Sequence, residues 1–192
     1  MKDLTKLIEN INNPFGKFNG NELKYILQAL DSESQETKKI SWIQRFEEAF
    51  AKKVDVNYAI AVNTATSGLH AALYAAGVQE GDEVIQPSKT VVMDSYVTIH
   101  LGATPVFVDI DPNTWNISIE EIEKKITPKT KAIIVVSLYG LPVDIDPIME
   151  LAKKHNITVI DDSAETMVSK YKEKFAGTHA HIGVYSFEKS KH

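Results

Sequence analysis

The chain has 192 residues, 43% apolar and 24% charged, which is enough for one sizeable core. A net charge of −5, with lysines spread out and no basic block, argues against a nucleic-acid partner. The lack of cysteine excludes disulfides, thiolate zinc sites and a cysteine nucleophile, which is compatible with the cytoplasm, the expected location.

Met1–Ile11 is expected to be a first helix, with Leu4, Leu7, Ile8 and Ile11 at helical spacing and Asn13-Pro14 as its stop. Asp3 and Glu9 interrupt this apolar pattern, so it is not a signal peptide. Nor is any later apolar run, such as Ala132–Val136, long enough to span a bilayer, and no membrane partner is expected. Asn21–Leu30 repeats the helical pattern, and Asp31–Lys39 is a polar, linker-like stretch. Ile40–Lys53 reads as a longer helix whose inward stripe is Ile43, Phe46, Ala49 and Phe50, serving either the core or a subunit contact. Residues 1–54 are therefore expected to form a helical segment packing on a larger domain over 55–192.

From Tyr58 onward, short apolar strands take turns with amphipathic helices. The strands are YAIAV, EVIQP, PVFVDI, KAIIVV, TVIDD and Gly183–Phe187. The helices are Thr66–Ala76, Val91–Leu101, Ser118–Ile126 and Asp146–Lys154. This alternation predicts an α/β fold with a mostly parallel central sheet covered by helices on both faces.

Several strand ends then carry chemistry. Val62–Leu73 passes from a strand through Thr64, Thr66 and Ser67 directly into a helix, whose first amides lack intrahelical acceptors. Hydroxyls and free amides at a positive dipole end suit a phosphate, and the amides of Thr66 and Ser67 are expected to be free; a plain Thr N-cap is the alternative. Asp161 and Asp162 end the TVIDD strand, facing the crevice where α/β proteins bind ligands. Lys189 and Lys191 follow the last strand. An acid that pairs with a pyridinium and a lysine that bonds a carbonyl are together the protein side of pyridoxal-phosphate chemistry. The alternative is that the acids cap the next segment and the lysines are solvated charges. Tyr139, after the IIVV strand, either lines the site or plugs the sheet edge. His179 and His181 share a face without a third ligand in reach, so no metal site is assigned.

The ordered segments NTATSGLHAAL, GDEVIQPSKT, GATPVFVDIDPNTWNI, TKAIIVVSLYGLP, VIDDSAE and SFEKSK resemble the DegT/StrS family of pyridoxal-phosphate-dependent sugar aminotransferases, of fold type I. The resemblance runs from about Asn21 to His192. It implies the large domain of such an enzyme, with pyridoxal 5'-phosphate as cofactor, and a homodimer. It further implies transfer of an amino group from an amino acid, glutamate in expectation, to a keto group of a nucleotide-linked sugar. Carried over, Thr66 and Ser67 hold the cofactor phosphate and Ser186 adds a hydroxyl. Asp162 pairs with the pyridine nitrogen, Glu165 lies near the ring hydroxyl, and Lys191 bonds the aldehyde carbon and moves the proton.

Three departures stand out. Val91 occupies a position where the family often stacks an aromatic, Ala180 stands where Gly is usual, and the chain has about half the family's length. The C-terminal small domain and an Asn that crosses from the neighbouring subunit are expected to be missing. Two other functions follow the same motifs: a sugar dehydratase, which has His in place of Lys191, or an inactive fragment that keeps the fold and dimer contacts.

Overall fold

The computed structural model describes residues 21–33 and 41–191. The chain divides into two compact units, Met1–Ala49 and Phe50–His192. The expected helix at Met1–Ile11 lies outside the described residues. In the first unit Glu22–Glu33 forms α1. Helix α2, Trp42–Val54, begins in the first unit and ends in the second. The inward stripe expected on α2 is not buried: Ile43 and Phe46 are exposed, and the helix buries Ala51 and Val54 instead.

The second unit continues with α3 (Ala65–Ala75), β1 (Glu83–Pro87), α4 (Met93–His100), β2 (Thr104–Val108) and α5 (Ile119–Lys125). It then adds β3 (Thr130–Val136), α6 (Ile145–His155), β4 (Thr158–Asp162), a two-stranded hairpin of β5 (Lys170–Tyr171) and β6 (Lys174–Phe175), and β7 (Ile182–Val184). Five strands make one sheet in the order β2-β1-β3-β4-β7, and every pairing in it is parallel. The predicted α/β class and parallel sheet are thus observed. Among the described residues no helix is long and apolar enough to cross a membrane.

Both faces of the sheet are covered, which is why its strands read as continuous apolar runs rather than alternating ones. Successive side chains point to opposite faces. Val84, Ile134, Val136, Ile160 and Val184 join Leu69 and Leu73 of α3 and Val97 of α4 in one core cluster. Ile85, Ile133, Val135 and Val159 join Ile122 of α5 and Ile145, Ile148 and Leu151 of α6 in the other. The expected strand at Tyr58–Val62 does not form. Among the described residues the run pairs with no strand, and Tyr58 and Ile60 are exposed.

Two glycines bring the loop after β6 against β7. A Cβ on Gly183 would overlap the carbonyl oxygen of Gly177, and Gly177 itself sits at φ +82° beneath the Tyr185 ring. Close backbone approach of this kind admits only glycine. Gly183→Ala is therefore expected to cost at least about 3 kcal/mol in a urea melt, since backbone rather than a flexible side chain must move. A loss under ~1 kcal/mol would mean that the loop yields freely.

Candidate active site

The first turn of α3 begins at Thr64, whose extended backbone and hydroxyl form an N-cap: its Oγ1 accepts from the Ser67 amide at 3.1 Å. Ser67 Oγ lies 3.1 Å from the same oxygen. The Ser67 amide is therefore not free, contrary to expectation, because the nearer Thr64 hydroxyl satisfies it. Thr66 differs, with neither its amide nor its hydroxyl finding a partner among the described residues. A free amide and a hydroxyl in the first helical turn are donors for an anion. Helix α3 reaches the end of the sheet because Gly68 lets it approach β7: a Cβ there would lie 3.0 Å from Val184 Cγ1.

Asp161 and Asp162 end β4 and are both buried, but alternation sends them to opposite faces. Asp161 shares the face of Val159, and both of its oxygens are engaged. Oδ1 accepts from Ser163 Oγ at 2.9 Å, and Oδ2 accepts from the Gly177 amide at 3.0 Å. Asp162 shares the face of Ile160, the side covered by α3 and α4. Its Oδ1 accepts from the Ala164 amide at 3.1 Å, and Oδ2 has no partner among the described residues. Burial pushes the Asp162 carboxyl up to about 7, with the neighbouring Asp94 adding to the effect, while the Ala164 amide and the Lys191 ammonium oppose it.

Lys191 is partly buried, and its ammonium donates to Glu165 Oε1 at 3.1 Å. Glu165 Oε2 accepts from the Tyr139 amide at 2.9 Å. Desolvation works against the Glu165 carboxylate, yet the Tyr139 amide and Lys191 together hold it below the usual range. Ser186 is buried and its Oγ accepts from the Glu188 amide at 3.2 Å. Lys189 is exposed, and Val91 stands exposed just before α4. His179 and His181 go to separate tasks: His179 Nε2 lies 3.1 Å from the Tyr171 carbonyl, and His181 Nδ1 accepts from the Val159 amide at 3.0 Å.

Asp94 was not singled out in the sequence. It lies in the first turn of α4, fully buried, where Thr90 Oγ1 donates to Oδ2 while Oδ1 has no partner among the described residues. Burial raises its carboxyl to about 6, against the Thr90 hydroxyl and the Lys191 charge. Thr90 and Thr98 stand four residues to either side of it, a spacing that places the three near one helix face without saying that the face is buried. Asp94 and Asp162 thus share one desolvated space that feels the charge of Lys191.

The sign of the pH dependence follows. The folded chain keeps protons on Asp94 and Asp162 that an unfolded chain, with carboxyls at the ordinary value of 3.8, has released. Their contribution to stability is complete below 3.8 and is lost as pH rises through about 6 and 7. Asp94→Asn should remove one acid and lower the Asp162 titration point, read by carboxyl-carbon NMR. An unmoved Asp162 would show that the two acids do not interact.

A helix N-terminus, a desolvated acid and a part-buried lysine thus collect at the carboxyl ends of the strands of a parallel sheet, where α/β proteins bind ligands. The chain matches the DegT/DnrJ/EryC1/StrS aminotransferase family over residues 17–192, and it belongs to that family. It is 48% identical over 168 residues to the GDP-perosamine synthase of Escherichia coli O157:H7, covering 88% of this chain and 46% of the relative. The aminotransferase from Psychrobacter cryohalolentis superposes with a TM-score of 0.83 at 39% identity, over 91% of this chain and 44% of that one. A putative sugar aminotransferase from Streptococcus pneumoniae in its PLP form gives 0.75 at 30% identity, over 84% and 45%. The chain spans about half the length of the relatives it matches.

Proposed function

We propose that this chain carries the cofactor-binding part of a pyridoxal-phosphate-dependent aminotransferase that moves an amino group from an amino acid, glutamate, to a keto group of a nucleotide-linked sugar. The observation that carries the reading is the pairing of a buried acid with one open oxygen, Asp162, and a lysine held by Glu165 whose charge that acid feels. The residues fit the group. Thr66 offers an unpartnered amide and hydroxyl to a phosphate, and Asp162 offers its unpartnered oxygen to a protonated ring nitrogen. When bound, the cofactor supplies an electron sink for the carbon that loses or gains a proton.

The remaining work falls to side chains. Lys191 would move the proton, and its contact with Glu165 holds the ammonium in place at the strand ends. Ser186 and Ser67 add hydroxyls on the phosphate side, Val91 gives apolar contact, and burial, with Asp94 adding to it, keeps the Asp162 carboxyl high in the absence of a cation. The family membership and the relative named for GDP-perosamine synthesis support the substrate class. The reading includes a homodimer, for which the outward Tyr25, Ile26, Leu27 and Leu30 of α1 offer an apolar face, and a cytoplasmic setting.

The test is covalent trapping. The chain mixed with pyridoxal 5'-phosphate and reduced with borohydride should carry the label on Lys191 in a peptide map. Label on Lys189 alone, or none, would overturn the assignment.

A further inference from the structure

Three loops that follow three neighbouring strands bring Lys89, Trp115 and Tyr139 together. Lys89 Nζ lies 3.1 Å from the Trp115 ring centroid and 5.6 Å from that of Tyr139. The two rings meet edge to face, with centroids 5.9 Å apart. Both aromatic residues sit in the left-handed region, Trp115 at φ 62° and Tyr139 at φ 52°, which bulky side chains avoid. Local bonds hold them there. The Trp115 amide donates to the Asp111 carbonyl at 2.8 Å, and the Tyr139 amide donates to Glu165.

This strain is not repaid by burial. Trp115 is 47% exposed and Tyr139 71% exposed, so the fold gains little apolar packing from rings it places at some cost. Among the described residues Lys89 has no carboxylate partner. An ammonium with no acid beside it, set against two half-open ring systems, is complementary to a ligand that joins a flat ring to an anion.

We infer that Lys89, Trp115 and Tyr139 form the subsite for the nucleoside diphosphate end of the sugar substrate, with the ammonium on a phosphoryl oxygen and the rings against the base. This rests on the function proposed above. An amino-acid carboxylate would satisfy Lys89 but leave both rings without a role, so the nucleotide is the better match. The subsite borders the reacting lysine through one residue: Glu165 accepts from the Tyr139 amide on one oxygen and from Lys191 on the other. Occupancy by the nucleotide is thereby placed next to the group that holds Lys191.

The chain contains two tryptophans, Trp42 and Trp115, so Trp42→Phe leaves Trp115 as the fluorescent reporter. GDP should quench it, and guanosine and inorganic pyrophosphate should each bind more weakly by about tenfold, since each keeps half the contacts. Lys89→Met should raise the GDP dissociation constant by about tenfold and flatten its salt dependence, and Lys89→Arg should restore both. Circular dichroism checks that each variant folds. Borohydride trapping at Lys191 without GDP quenching overturns the subsite and leaves the proposed function standing. Glutamate quenching that depends on Lys89, with GDP silent, also overturns it. GDP binding that depends on Lys89 without any trapping supports the subsite and removes the proposed function.

Discussion

Lys191→Ala is expected to abolish the visible absorbance band of lysine-bound cofactor. In a chain of the relatives' length carrying this half, it should lower amino transfer by at least about 10²- to 10⁴-fold, the span supplied by a positioned acid–base group. Phosphate anchoring should survive, because Thr66 on α3 and Lys191 beyond β7 are separate elements. Thr66→Val should have the reciprocal effect, weakening cofactor binding by about 1.5–3 kcal/mol through loss of a charge-assisted hydrogen bond while the band still forms at saturation. Lys191→Ala carries a second readout. Glu165 loses the cation that helps hold its carboxyl low, so its titration should move up. A persisting band would place the covalent bond elsewhere, with Lys189 the first alternative.

How much of this site could be read from the sequence varies from residue to residue. The extents of β1 and β4 followed directly, since strands buried on both faces are continuous apolar runs and EVIQP and TVIDD each give way to a polar residue, Ser88 and Ser163. Tyr58–Val62 has the same appearance and no ladder, because pairing depends on a neighbour that the run does not encode. The stripe on α2 was legible as amphipathic, yet periodicity says nothing about what covers the apolar side. The hairpin of β5 and β6 is only two residues on each side and leaves no periodic trace.

Asp161 and Asp162 are instructive because their identities are the same and their environments are not. Which of them faces α3 and α4 is decided by the pleat, which puts Asp162 with Ile160 and Asp161 with Val159. The sequence contains that alternation, but not the knowledge of which helices cover which face. Asp94 escaped for a related reason: a helical acid is ordinarily solvated, and only packing shows that this one is sealed beside Asp162.

The two neighbouring acids make the sharpest contrast in outcome. Asp161→Asn should destabilise the chain by about 1–3 kcal/mol, because the amide oxygen can replace only one of two acceptors and either Ser163 Oγ or the Gly177 amide is left unpaired. Asp162→Asn should have the opposite sign in the cofactor-free chain near pH 8. The substitution keeps the acceptor for the Ala164 amide and replaces a desolvated carboxylate beside Asp94 with a neutral group, so stability holds or rises. Activity should move the other way. A neutral partner no longer favours a protonated ring nitrogen, and transfer in a chain of the relatives' length should fall by about 10²- to 10³-fold although Lys191 can still be trapped. A loss of stability without loss of rate would mark Asp162 as a structural acid like its neighbour. Gained stability together with lost rate is what a carboxylate kept in place for a cationic ligand must show, since the burial that raises its titration point is a cost to folding at high pH.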